Sequence, residues 1–317
     1  MNTLFHQDIV VAPLGSGSRG NATYIGDGRT GVLIDCGLST RQILLRMRQI
    51  GLEDAPIDGV LITHEHADHV AGAAILERKR TKATGQAPMF FMTPGTARGV
   101  PERCRPQNIT LIEAGGAFTL GGLRIEPISV PHDTRDPVCY TVASGATRVG
   151  VMTDLGTPTR LLVRQLASLD VAVLEFNHDQ DMLRDGDYPW HLKQRIRGHH
   201  GHLSNRQGAR LLHDAASLSR RLQHVMLAHL SDENNTPARA MAMAELAIER
   251  AGRPDIRLRI AEQDTAIEPA VLRKPMTFDT PQKVRAPASV RPATSRREDA
   301  SNAEEAPVLQ QALFPRG

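Results

Sequence analysis

Within the stretch Thr63-His64-Glu65-His66-Ala67-Asp68-His69, four side chains able to bind a metal fall in six positions: His64, His66, Asp68 and His69. The apolar run "DGVLI" leads in and the helix pattern "VAGAAILERKR" leads out, so the cluster is expected where a buried strand ends and a helix begins. On an extended backbone, residues two apart project to the same side, which pairs His64 with His66. Asp68 and His69 open the helix and can turn into the same space. Imidazole together with carboxylate suits zinc, manganese or iron. A solvated polar strand end would account for one histidine, but not for this density at a junction.

The rest of the chain supplies the layers such a junction needs. Short apolar runs separated by glycine turns fill residues 8–35, and Ser39 caps the helical "RQILLRMRQI", whose apolar face is Ile43, Leu44, Met47 and Ile50. From 87 to 153 follow "APMFFM", "NITLI", "GAFTL", "LRIEPISV", "VCYTVA" and "RVGVMT", all strand-like. Thr157-Pro158 is expected to start a helix as cap and first position. "DVAVLEF", "QHVMLAH" and "DIRLRIAE" read as strands, alternating with helices at "SNRQGARLLHDAASL" and "TPARAMAMAELAIERAG". A two-sheet α/β core with helices on both outer faces satisfies this order. Of 317 residues, 40% hydrophobic and 23% charged, the folded part is expected over 1–268. Beyond it, prolines at 275, 281, 287, 292, 307 and 315 and few large apolar residues are the composition of a disordered tail over 269–317.

No apolar run approaches ~18 residues, so no membrane span is expected. "MNTLFHQDIV" lacks the basic start of a signal peptide. Three scattered cysteines, Cys36, Cys104 and Cys139, fit a reducing cytoplasm. The net charge of +3 permits a polyanionic partner without arguing for one.

The T-H-x-H-x-D-H run resembles the signature of the metallo-β-lactamase fold hydrolases, an αββα sandwich with a dinuclear metal site at one edge. The resemblance implies further ligands after later strands. His132 in "EPISVPHD", Asp154 in "RVGVMTDLG" and His229 in "HVMLAHLS" follow in the expected order. By that resemblance His64, His66 and His132 hold one divalent ion, zinc or manganese. Asp68, His69 and His229 hold the other, and Asp154 bridges. Family members also begin with a strand, a glycine-rich loop and a second strand. "GSGSRG" at 15–20 spells a dinucleotide fingerprint, yet a strand rather than a helix follows it, against a nucleotide fold. It is expected to be a close-approach loop facing a phosphate, with Ser16, Ser18 and Asn21 as substrate contacts.

Within that fold, "LGSGSRGNATYI", "THEHADHVAG" and above all "LEFNHDQDMLRDGDYPWHLKQRIRGHHGHLSN" resemble the YycJ/WalJ group of bacterial exonuclease-like proteins, over about residues 8–262. This implies a phosphodiesterase on nucleic acid, DNA rather than RNA, degrading 5′ to 3′ and serving DNA repair. Lys193, Arg195 and Arg197 near Tyr188 and Trp190 offer cations beside a stacking surface, which suits a single strand, and Ser204 follows in the same segment. Catalytic roles fall on Asp68 and Asp154, which orient the nucleophile, and on His178 or His202 as general acid. Glu175 is retained from a histidine-glutamate pair of ribonuclease-Z-type members, while Leu174 replaces its histidine. A glyoxalase II-type thioesterase or lactonase would use the same ligands without needing residues 193–200, and a metal-stabilised regulator that binds nucleic acid would not turn over at all. Finally, Gln310, Leu313 and Phe314 in "VLQQALFPRG" resemble the short peptide with which bacterial repair and replication proteins dock on the sliding clamp.

Overall fold

The computed structural model describes residues 8–273. The tail from 274, with Gln310, Leu313 and Phe314, lies outside the described residues. In the first half, strands β1 (Asp8–Gly15), β2 (Ala22–Gly26) and β3 (Gly31–Ile34) precede helix α1 (Thr40–Gln49). Then come β4 (Gly59–Leu61), helices α2 (Ala67–Val70) and α3 (Ala73–Thr84), β5 (Met89–Met92), α4 (Pro94–Gly99) and β6 (Ile109–Leu111). The second half runs β7 (Phe118–Leu120), β8 (Leu123–Ser129), β9 (Val138–Ser144), β10 (Thr147–Met152), α5 (Arg160–Ala167) and β11 (Val171–Glu175). It continues with α6 (Gln180–Asp185), α7 (Trp190–Arg197), α8 (Asn205–Leu218), β12 (His224–Ala228), α9 (Pro237–Arg250), β13 (Arg257–Ile260) and β14 (Ala270–Arg273).

Two seven-stranded sheets form, in the orders β14-β1-β2-β3-β4-β5-β6 and β13-β12-β11-β10-β9-β8-β7. Strand alternation explains why they stack. In β1, Ile9 and Val11 face the other sheet, while Val10, Ala12 and Leu14 face the helices beside Ile43 and Leu76. In β11, Val171 and Val173 point inward and Ala172 and Leu174 meet α8 residues Leu211 and Leu212. Both faces of each central strand are covered, so these strands read as unbroken apolar runs. The result is the expected αββα sandwich.

Three local expectations are corrected, and a segment to which the sequence assigns no element is a helix. Leu44 is exposed on α1, whereas Arg46 is buried and donates to the carbonyls of Leu14 and Gln263. Helix α5 starts later than Thr157-Pro158, because the Thr159 hydroxyl accepts from Leu162 N as its N-cap and Thr157 is bound to His199. The segment around Lys193 is a helix, with consequences described below. Strand β14 extends the fold past residue 268, pairing antiparallel with β1 from Asp8↔Arg273 to Val11↔Ala270. At four residues it is too short to stand out in a proline-rich context.

Candidate metal centre

Chemistry-bearing residues gather where strands end. His64 follows β4, Asp154 follows β10, Glu175 ends β11 and His229 follows β12. In a sandwich whose central strands run parallel, these ends share one edge. Asp35, Asp154 and His229 adopt left-handed backbone conformations (φ 63°, 60° and 57°). A non-glycine residue is held there only when its surroundings insist, which aims these side chains away from the course of their strands.

The expected ligands converge. His66 Nδ1 lies 3.1 Å from His64 Nε2 and 3.4 Å from His132 Nε2. His69 Nε2 is 3.3 Å from Asp68 Oδ2 and 3.4 Å from Asp154 Oδ2. His229 reaches Asp68 Oδ2 at 3.6 Å and Asp154 Oδ1 at 3.5 Å. Ligand atoms of His64, His66 and His132 lie within 4.8 Å of one another, as do those of Asp68, His69 and His229. Asp154 joins His64 and His69 in a third such group, as a bridging carboxylate would. The donors fit divalent metal on an observation of their own. Asp154 Oδ2 and His229 Nε2 are buried without a hydrogen-bond partner, a cost that a cation between them removes.

Electrostatics point the same way. Burial holds His64 well below the usual histidine range, with the neighbouring His69 adding to it. For His229, burial is overcome by Asp154, Asp68 and Glu175, which together push it up to about 10. Against its own burial, Asp154 is held well below the usual carboxylate range by His229, His69, His64 and His132. The carboxylates stay charged and draw positive charge inward, in the form of protons or of metal.

A second layer orients the ligands. Asp35 Oδ2 meets His69 Nδ1 at 2.8 Å, and Oδ1 accepts from Thr63 N at 2.8 Å. His132 Nδ1 donates to Gly201 O at 3.1 Å, leaving Nε2 for metal. The glycine-rich loop belongs to this layer. Ser16 Oγ accepts from His229 N and donates to Asn21 Oδ1, while Asn21 Nδ2 lies 3.1 Å from His69 Nε2. Ser16 and Asn21 are therefore buried supports for the centre; of the three loop residues expected to meet substrate, Ser18 alone lines the cavity. Close approach is what the glycines permit: at Gly37, facing this loop, an added Cβ would fall 1.6 Å from Asp68 O.

A cavity of about 390 Å³ opens over the centre, lined by His66, Asp68, Asp154, His202 and His229 and walled by Tyr188, Leu192, Arg195 and Ile196. His202 Nδ1 lies 2.8 Å from Glu175 Oε1, and the fully buried Glu175 also takes Leu155 N on its other oxygen at 2.7 Å. His178 is elsewhere: it is 2% exposed, absent from the cavity wall, and pushed down to about 4 chiefly by burial. Helix α7 separates the expected basic row. Lys193 and Arg195 project to nearly opposite sides at 3.6 residues per turn. Lys193 Nζ donates to the carbonyls of Arg184 and Gly186 at the end of α6. Arg195 faces the cavity and pairs with Asp133. Trp190 is 65% exposed outside the cavity, Arg197 is exposed without lining it, and Ser204 is buried as the capping-box N-cap of α8.

Two residues of this centre, Asp35 and Asp133, escaped the sequence reading, and the part played by a third, Glu175, was not read from it. Asp35 carries the same signal as Asp154, a carboxylate directly after an apolar strand. Asp133 sits beside His132, with Oδ1 3.5 Å from its Nε2. Glu175 was noticed, but its role depends on His202, 27 residues away.

Comparison with known proteins adds the lineage. A family model described as a beta-lactamase superfamily domain matches residues 30–229. Exodeoxyribonuclease WalJ of Streptococcus pneumoniae serotype 2 (strain D39 / NCTC 7466) is 33% identical over 248 residues, 74% of this chain and 89% of that protein. Exodeoxyribonuclease YycJ of Bacillus anthracis is 30% identical over 241 residues, 75% of this chain and 89% of that protein. Among solved structures, the metallo-beta-lactamase fold protein YhfI from Bacillus subtilis superposes with a TM-score of 0.62 at 14% identity, over 83% of this chain and 100% of that one. Zn(2+)-bound PqqB from Methylobacterium extorquens gives 0.58 at 18%, over 82% and 99%. These two share the fold.

Proposed function

The chain belongs to the metallo-β-lactamase superfamily, within the group of WalJ and YycJ, and we propose that it is an exodeoxyribonuclease that uses two divalent ions, zinc or manganese, to hydrolyse DNA 5′ to 3′ in the cytoplasm. The relatives named exodeoxyribonuclease, matched over 89% of their length, support the substrate. The observation that carries the chemistry is the Glu175–His202 pair beside Asp154 at the cavity.

His64, His66 and His132 would hold one ion, Asp68, His69 and His229 the other, with Asp154 between them. When bound, the metals supply a polarised phosphoryl oxygen and a hydroxide nucleophile near neutral pH. Asp68 and Asp154 face the cavity and orient the attacking water. Glu175 engages His202 Nδ1, so Nε2 is the nitrogen left to carry a proton to the departing 3′ oxygen. An alkoxide needs that proton. A thiolate, with an unperturbed thiol pKa of about 8.5, leaves without it, which sets this site apart from a thioesterase. Arg195 and Tyr188 offer a cation and a stacking face to the strand end. Through Gln310, Leu313 and Phe314 the tail would tether the enzyme to a sliding clamp during repair, where modest affinity suffices.

The test is hydrolysis of 5′- and 3′-labelled DNA, of RNA and of a thioester by the metal-loaded protein. Mononucleotide release from the 5′ end of DNA is expected. Thioester turnover without DNA hydrolysis, or DNA binding without turnover in zinc, manganese and cobalt, would replace the proposal.

A further inference from the structure

On the nuclease reading, the cavity over the metal centre would take the end of a strand, and the rest of that strand would lie on the outer surface. Helix α8 begins at its N-cap Ser204, two residues after His202, and its exposed side carries Arg206 and Arg210. Four residues of chain span at most ~14 Å, so Arg206 starts close beside the cavity. Arg210 follows one turn on, ~6 Å along the axis, with His213 beyond it. Across a groove of about 490 Å³, α9 sets Arg250, and the apolar floor includes Met243 and Leu246. Every charged residue lining this groove is cationic. Among the described residues Arg206 and Arg250 make no ion pair, and Arg210 reaches Asp214 only at 3.9 Å.

We propose that this face of α8 and α9 is a track for the phosphate backbone of a single-stranded nucleic acid whose end occupies the metal centre. The proposal rests on the nuclease reading above. A row of exposed guanidiniums that begins within a short stretch of chain from the cavity matches a polyanion leaving it; the carboxylate beside the row is Asp214, 3.9 Å from Arg210 and 3.0 Å from His213 Nδ1. Met243 and Leu246 give sugars and base faces an apolar surface between the two cationic edges. An acidic protein segment is the competing occupant, but nothing would require its groove to begin at the catalytic edge.

The experiment measures binding of 30- and 4-nucleotide single strands with hydrolysis-resistant phosphorothioate linkages to the metal-loaded wild type and to the double variant Arg206→Gln/Arg210→Gln. Fluorescence anisotropy is read between 50 and 200 mM salt. The wild type should bind the longer strand more tightly. Each phosphate contact on a single strand contributes a slope of about 0.7 in log affinity against log salt. Over this fourfold change, wild-type affinity for the 30-mer should therefore fall about sevenfold more than the variant's. Both substitutions are on an exposed helix face, and unchanged melting temperatures establish that the variant is folded. Equal salt dependence of the two proteins, or equal wild-type affinity for both strands, overturns the track in favour of an acidic protein partner. Wild-type protein that hydrolyses no DNA of any length refutes the nuclease reading instead, and the binding comparison still decides the track.

Discussion

Replacing Glu175 by Gln isolates the proton-delivery step with almost no change in shape. In the wild type one carboxylate oxygen accepts from the Leu155 and Leu203 amides, and the other meets His202 Nδ1 at 2.8 Å and His229 Nδ1 at 3.3 Å. The amide has a single oxygen, and the fixed backbone donors claim it. Its NH2 group then faces His202, where an acceptor is needed. His202 loses one charge-assisted hydrogen bond, worth ~1.5–3 kcal/mol, and at 1.36 kcal/mol per decade that alone slows the reaction ~10- to 10²-fold. Weakened general-acid action brings the expected fall in kcat on DNA to ~10²- to 10³-fold. A p-nitrophenyl phosphodiester, whose leaving group needs no proton, should lose far less. The assay compares kcat for both substrates and measures bound metal, because Glu175 also touches His229. Equal losses on the two substrates at full metal content, or a loss on DNA below tenfold, would refute the role assigned to this pair.

Asp154→Ala should abolish DNA hydrolysis and lower the metal content, read by elemental analysis of the purified variant; wild-type rates with metal supplied would remove Asp154 from the centre. Asp35→Asn deprives His69 of its carboxylate partner and should weaken metal affinity ~10- to 100-fold, measured by competition with a chelating dye, with no change expected if Asp35 only supports the fold. Gly37→Ala places a methyl group against Asp68 O and should destabilise by ~1–3 kcal/mol or more, visible as a lower denaturant midpoint; an unshifted midpoint contradicts the close approach. Phe314→Ala should abolish a micromolar contact between the intact protein and the sliding clamp in calorimetry, and the tether idea fails if the intact protein shows no binding at high micromolar clamp.

Much of this molecule is decided locally. Strands buried on both faces need continuous apolar runs, and several candidate ligands follow such a run closely, so β4 with His64, β10 with Asp154 and β12 with His229 stand out in the sequence. Chain order with these runs points to two sheets covered by helices, and the resemblance carried by the T-H-x-H-x-D-H run implies the αββα sandwich and the candidate ligand set. What the chain could not announce lies in contacts between segments far apart in it. Whether His178 or His202 faces the cavity depends on where α6, α7 and α8 cross the end of β11, and Glu175 selects His202 across 27 residues. The same holds for Ser16 and Asn21, polar residues in a glycine loop that folding turns inward to brace His229 and His69. A basic row read two residues at a time splits once the segment coils into α7, sending Lys193 to the end of α6 and Arg195 to Asp133. Composition and spacing specify which groups reach a strand end; only the packed sheets determine which of those groups meet, because hydrogen bonds and ion pairs fall off over a few ångströms in space and take no account of separation along the chain.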